Sequence, residues 1–284
     1  MIGIFNIEKE IEKNISKETI NMMENKALPN LDGLVLNWFP NYIDPSLLVR
    51  QAEIMSFYAK KKIPIFIYDK EMDMNYKEFN WLRKFNVSFF EPAINGRKGF
   101  SFLPSWIKIL KYNDIPEDEV LTIIGYKGDL VNKILAFEKY YISYIKQFPQ
   151  TKIKYFSKNL TKNKEDEYKD EGLVKEDFPW NNTAFTIAIG SQKDYRIGYL
   201  DSMVFNAMEN GCLPLIPKEH RFYYGMFLYE VVKNTVDMDF FISGKIIKNI
   251  RRLLISEIYE NIELYFPEFT LEFTIDKIKS VIGG

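Results

Sequence analysis

The chain has a single cysteine, Cys212, and a single histidine, His220, in 284 residues. One cysteine excludes an internal disulfide framework and fits a reducing compartment. One histidine and one cysteine together exclude a Cys/His zinc site by count. Cys212 falls in a turn entering an apolar segment, where it reads as a small buried thiol rather than a nucleophile paired with His220. No run of about 18 apolar residues is present, which excludes a transmembrane helix of ordinary length. The N-terminal stretch turns charged after seven residues, so no secretory signal is expected and the expected location is the cytoplasm. There is no P-loop or dinucleotide fingerprint, no internal repeat and no low-complexity run.

What is present is the composition of an ordinary globular protein, 46% hydrophobic and 27% charged, long enough for one large domain or two of usual size. Aromatic residues make up 16%. They accompany an abundance of Lys, Asn and Ile, so their number alone does not imply stacking. The net charge of −1 is unevenly spread. Residues 1–111 hold 16 Lys and Arg against 13 Asp and Glu, and residues 40–111 hold 12 against 7. The basic excess includes Lys60, Lys61, Lys62, Arg97 and Lys98. Solvated helix faces account for such an excess, and so does a surface that meets a polyanion.

Along the first half, strand and helix signals alternate. Short apolar runs at 2–7, 33–36, 63–68 and 87–90 read as strands. Segments 11–23, 45–58, 76–85 and 106–112 read as helices, with Asp44-Pro45-Ser46 as a helix start. This βαβ rhythm predicts a parallel sheet with helices on both faces, whose ligands sit beyond the carboxyl ends of the strands. The polar residues there are Asn37-Trp38, Asp69-Lys70 and Glu91-Pro92. Residues 95–105, NGRKGFSFLPS, form a glycine-rich basic loop carrying Arg97, Lys98, Phe100 and Phe102. Residues 113–118 read as a linker.

The alternation restarts at 120–124, followed by a turn at Gly125-Tyr126-Lys127 and a helix over 130–147. Strands are expected at 152–156 and 183–189, with a charged loop over 158–177 between them. Helices are expected at 246–264 and 269–282. The most informative segment is 194–217, DYRIGYLDSMVFNAMENGCLPLIP. Leu200, Met203, Val204, Ala207 and Met208 recur at helical spacing, Gly211 stands at a left-handed helix stop, and Leu213-Pro214-Leu215-Ile216 follows as a strand. Arg196, Gly198, Asp201 and Ser202 gather at the start of that helix. A helix start with an arginine suits a phosphate, and a carboxylate beside it suits ribose hydroxyls.

This segment resembles the donor-site pattern of GT-B glycosyltransferases, in which a polar residue and a helix lead into a Gly-Cys-x-Pro turn. The matching residues are Asp201-Ser202, the helix over 203–210, and Gly211-Cys212-Leu213-Pro214. Around Phe205-Asn206-Ala207 the pattern is similar to the fucosyltransferase-like branch, which has Glu where this chain has Asp201 and Ser202. The resemblance covers residues 120–217 well and the first half in outline. It implies two Rossmann-like doubly wound domains facing a central cleft: an acceptor-binding domain over 1–115, with the last helix, 269–284, packed back on it, and a donor-binding domain over 116–268.

The resemblance further implies transfer of a sugar from a nucleotide-diphosphate sugar, with UDP-glucose as the expected co-substrate and no cofactor or metal. Gly125, Lys127, Arg196 and Gly198 would approach the diphosphate, and Asp201 and Ser202 the ribose. The nearest Asp-x-Asp, Asp237-Met238-Asp239, follows the donor motif and is out of place for a metal-dependent site. Asp69 and Glu91 are the candidate catalytic bases; stereochemistry stays open. The segments IGYKGD, FEKYY and TIAIGSQKDYRIGYLDS resemble phage enzymes that glycosylate hydroxymethylated pyrimidines. That implies double-stranded DNA as partner, host cytoplasm as location, and Trp38, Arg97, Lys98 and Phe100 as acceptor contacts. Two alternatives remain: a bacterial surface-glycan glycosyltransferase, and a non-catalytic nucleotide-sugar or nucleic-acid binding protein. Nothing in the residues indicates an oligomeric state.

Overall fold

The computed structural model describes residues 1–16, 18–39, 44–115, 122–126, 152–156, 173–174, 185–187, 196–199, 205–206, 208–215 and 247–283. By compactness the chain divides into Met1–Trp106 with Glu268–Gly284, and Ile107–Pro267.

The first unit is a six-stranded, wholly parallel sheet. Its strands are β1 (Ile2–Phe5), β2 (Thr19–Asn21), β3 (Gly33–Asn37), β4 (Ile65–Tyr68), β5 (Val87–Glu91) and β6 (Ser101–Phe102), in the order β2-β1-β3-β4-β5-β6. The order reverses between β1 and β3, which is the topological switch point. Strand residues alternate between two buried faces. Leu34, Leu36, Ile65, Ile67 and Phe89 lie on one face with Ile54, Met55 and Tyr58 of helix α2 (Pro45–Lys60) and Phe79 and Leu82 of α3 (Tyr76–Leu82). Val35, Phe66, Tyr68 and Phe90 lie on the other, with Ile11 and Ile15 of α1 (Lys9–Ile15) and two isoleucines, Ile278 and Ile282, near the C-terminus.

The helix starts expected at 45 and 76 hold. Asp44 caps α2, accepting from the Ser46 N–H at 2.8 Å, with Pro45 in the first turn. Asn75 and Glu78 form a reciprocal capping box on α3.

Three first-half expectations are corrected. The helix expected over 11–23 ends at Ile15, and Thr19–Asn21 becomes the edge strand β2. The turn begins at Ser16, whose hydroxyl accepts from the Glu18 N–H at 3.2 Å. The loop over 95–105 contains the short strand β6. Residues 106–111 are not helical. Their backbone is taken up elsewhere: the Lys108 N–H donates to Glu209 at 3.0 Å, and Arg252 donates to the Tyr112 carbonyl at 2.8 Å. The run WIKILK is only six residues long, less than two helical turns, so its spacing is too short to establish a helix. The connector is thereby held by the second unit.

The second unit has a five-stranded parallel sheet made of β7 (Thr122–Tyr126), β8 (Lys152–Phe156), β9 (Leu173–Val174), β10 (Phe185–Ile187) and β11 (Leu213–Leu215). The order is β11-β10-β7-β8-β9, the doubly wound arrangement with its switch point between β7 and β10. Gly125 and Tyr126 are strand residues, not a turn, and β9 falls within the expected charged loop. The expected helix over 130–147 lies outside the described residues. Gly211 takes φ 76°, the left-handed stop that its position predicts. Helix α4 (Ile247–Tyr265) lies against β11, and its Tyr259 hydroxyl donates to the Met208 carbonyl.

The chain returns to the first unit after Pro267. Helix α5 (Leu271–Ile282), capped by the Thr270 hydroxyl on the Phe273 N–H at 3.3 Å, lies against α1, β3 and β4.

Candidate active site

Asp69, which follows β4, and Glu91, which ends β5, both reach Arg97 on the loop after β5. Arg97 Nη2 lies 2.6 Å from Asp69 Oδ2, and Arg97 Nε lies 2.6 Å from Glu91 Oε2. Its Nη1 donates to the Met74 carbonyl at 2.8 Å, and its backbone N–H donates to Glu91 Oε1. The guanidinium carbon stands 4.0 Å above the centre of the Phe100 ring. Asp69 is fully buried and Glu91 is 1% exposed. Two carboxylates desolvated this far need a shared cation, and the planar fork of arginine serves both.

The glycines on either side of the Arg97-Lys98 pair make this possible. A Cβ on Gly96 would meet Glu91 Oε1 at 1.7 Å, and one on Gly99 would meet the Phe79 ring at 2.6 Å. Gly99 also takes φ 93°. The loop thus lies directly on the carboxylate and the ring.

Asp69 is saturated. Besides Arg97, its oxygens accept from the Asp73 N–H at 3.0 Å and the Met74 N–H at 2.9 Å. Both oxygens of Glu91 accept from Arg97. The two carboxylates proposed from sequence as bases are therefore engaged in holding the Arg97 loop. Arg97 itself is turned inward, while Lys98 is exposed. Phe100 stacks on Phe79, with ring centres 5.0 Å apart, and Trp38 belongs to the core of the first unit. Both aromatics proposed for base stacking are packed against protein.

The side chain that sequence reasoning passed over is Asp73. Its Oδ2 is buried and has no hydrogen-bond partner among the described residues. Burial, and then the charges of Asp69 and Glu71, hold its carboxyl above the usual range, with Arg97 opposing. The Trp38 indole Nε1 is likewise buried without a partner. Glu8, beyond β1, is occupied: it accepts from Trp106 Nε1 at 2.8 Å and from Lys70 Nζ at 3.1 Å.

In the second unit, Gly125 of β7 is in register with Ile187 of β10, the two strands flanking the switch point. Lys127 is the second residue after Gly125. Arg196 is exposed in a helical turn, and Gly198 is buried with φ 66°. Lys127, Asp201 and Ser202 lie outside the described residues.

Compared with solved structures, the chain is similar to a TarM variant from S. aureus in complex with fondaparinux, α-GlcNAc-glycerol and UDP. The TM-score is 0.52 at 11% identity, over 89% of this chain and 55% of that one. A second TarM structure gives 0.47 at 10% identity over the same shares, and a GtfA/B complex gives 0.37 at 10% identity over 88% and 58%. These are GT-B glycosyltransferases. No protein-family profile and no curated protein matches the chain. The two parallel α/β units and this likeness define a GT-B fold. The chain spans 55% of the length of the TarM structures. Among the described residues, no helix is long and apolar enough to cross a membrane.

Proposed function

We propose that the chain is a glycosyltransferase that moves a hexose from a UDP-sugar to an acceptor hydroxyl without a metal ion. The observation that carries this is the switch point of the second sheet. Strand β7 holds Gly125 and precedes Lys127 in sequence, and the segment with Arg196 and Gly198 follows β10 in sequence. In a doubly wound sheet that crevice is where ligands bind, and a lysine and an arginine in the sequence after the two flanking strands suit a diphosphate. UDP as the nucleotide draws support from the S. aureus TarM variant, whose crystal contained it.

For the acceptor, we favour a polyol or glycan hydroxyl over DNA. The same neighbour was crystallised with α-GlcNAc-glycerol. Of the acceptor contacts that the DNA reading named, Trp38, Arg97, Lys98 and Phe100, only Lys98 is exposed. Trp38 and Phe100 are packed against the core, and Arg97 is held by buried carboxylates. UDP-glucose and UDP-GlcNAc are the donors to compare.

The test incubates the full chain with each UDP-sugar in EDTA and measures UDP release with no acceptor, with glycerol-based and glycan acceptors, and with hydroxymethylpyrimidine DNA. Release stimulated by the polyol or glycan supports this reading. Release that needs modified DNA restores the other acceptor. UDP binding with no release under any condition leaves a nucleotide-sugar binding protein.

A further inference from the structure

We propose that the amino edge of the first sheet is a docking surface for an anionic lipid bilayer, made by Lys60, Lys61, Lys62, Arg83 and Lys84 around the Trp81 indole. In a parallel sheet each crossover helix returns the chain to the amino edge of the strands. Helices α2 and α3 lie on one face and lead into β4 and β5, which pair with Ile65 opposite Val87. The Ile65 N–H donates to the Asn86 carbonyl at 3.0 Å. Lys62 stands shortly before Ile65, and Arg83 and Lys84 shortly before Asn86, so the two basic turns are neighbours. They lie wholly within the first unit. All five cations are exposed, and Trp81 is 36% exposed.

A solvated helix face usually pairs its charges at a spacing of three or four residues. For these cations, the earlier positions at that spacing, 56–59 and 79–81, hold no carboxylate. None of the five forms an ion pair among the described residues. Lys61 donates to Asn30 Oδ1 at 3.1 Å and lies 4.5 Å above the centre of the Phe57 ring. Of the carboxylates that lead into the neighbouring strands, Asp32 is taken by the Met1 amine, and Glu18 precedes β2 at the far edge of the sheet. Lys62 also takes φ 60°, a left-handed stop that glycine fills without strain, so its side chain is carried there at a conformational cost.

The occupant follows from charge and from Trp81 together. Unpaired cations attract the headgroups of an anionic leaflet, and an indole among them suits the interface beneath. The Trp81 ring is fixed by the edge of Phe85, with ring centres 5.2 Å apart. A dissolved polyanion would use the cations and leave the indole in water. Cations at a helix C-terminus also stabilise the helix, so the test must separate docking from stability.

The experiment sediments the full chain with phosphatidylcholine vesicles, with and without phosphatidylglycerol, at increasing salt. The expected result is binding only to the vesicles that contain phosphatidylglycerol, weakened as salt rises. Lys60→Gln, Lys62→Gly and Lys84→Gln each weaken binding about fivefold. Lys62→Gly does so with an undiminished melting temperature, because glycine suits that backbone. Trp81→Ala weakens binding at every salt concentration. Lys13→Gln, on α1 at the other face of the sheet, binds as wild type does. Absence of binding to the anionic vesicles, equal binding to neutral ones, or cation variants that bind like wild type overturns the proposal. Duplex DNA binding that depends on the same cations, without vesicle binding, overturns it in favour of a nucleic-acid surface. No donor or acceptor enters this assay, so its outcome is independent of the UDP-release test.

Discussion

Gly96 lies so close to Glu91 that a Cβ added to it would fall 1.7 Å from the carboxylate oxygen Oε1. That oxygen cannot swing away, because it also accepts from the Arg97 N–H while its partner oxygen is held by Arg97 Nε at 2.6 Å. Gly96→Ala must therefore lift the loop off Glu91. The expected cost is about 1–3 kcal/mol, as for overpacking of a filled site. It should appear as a lower melting temperature with UDP affinity unchanged. A variant that melts with wild type would show that the loop is not seated on Glu91.

Removing Arg97 should be worse than removing either of its partners. Arg97→Ala strands two buried carboxylates at once, and breaking a buried pair costs about 3–5 kcal/mol. Arg97→Lys keeps the charge but offers one ammonium where a fork served three acceptors, so it should fall between wild type and alanine. Urea unfolding followed by circular dichroism orders the three. Equal stability of the lysine variant and wild type would remove the fork geometry from the explanation.

Much of this architecture was legible beforehand, for identifiable reasons. Strands buried on both faces read as continuous apolar runs, and β3, β4 and β5 were found at Gly33–Asn37, Ile65–Tyr68 and Val87–Glu91 on that signal. Asp44-Pro45 and Gly211 work through backbone rules that depend on a few neighbours, so they too were readable. The two-residue strands β6 and β9 are too short to show a period. The role of Arg97 was not readable either. Its sequence neighbours suggest a surface loop, and only the fold brings it to Asp69, 28 positions away. Asp73 was missed for the same reason: an unsatisfied oxygen is a property of packing, not of sequence.

Asp73 makes a stability prediction that is independent of turnover. Its carboxyl is held above the usual range by burial and by Asp69 and Glu71. A folded-state pKa raised above the unfolded value favours the native state below the unfolded pKa. That benefit is lost as pH rises through the folded pKa. At neutral pH the charged side chain therefore works against folding. Asp73→Asn should melt above wild type at pH 7, and the difference should close as pH falls below the ordinary Asp range. Thermal melts across pH 3–8 check this. A neutral-pH variant less stable than wild type would mean that the carboxylate is structurally satisfied.

The donor assignment predicts separable effects in the second unit. Lys127→Ala and Arg196→Ala should each weaken UDP binding by about 1.5–3 kcal/mol, the range for hydrogen bonds to a charged group. Uridine, which lacks the diphosphate, should bind wild type and both variants alike. Titration calorimetry with UDP and uridine makes the comparison. Equal losses for both ligands would indicate a damaged fold rather than a lost phosphate contact.

Cys212 offers a reporter for the second unit that needs no substrate. It is the only cysteine in the chain and is fully buried, so a thiol reagent can reach it only after local or global opening. Gly211 before it takes φ 76°, a conformation that costs a non-glycine residue about 1–2 kcal/mol. The expected result is negligible labelling of the native protein and a sharp rise in urea. Gly211→Ala should move that rise to lower urea and, when opening is in rapid equilibrium, speed native-condition labelling by about 5–30-fold. Melting of the first unit, followed through Trp38, Trp81 and Trp106 fluorescence in a Trp180→Phe background, should be unaltered by the same substitution if the two units open independently. A shift in both signals would instead show that the units unfold as one, since Gly211 has no part in the first unit's core.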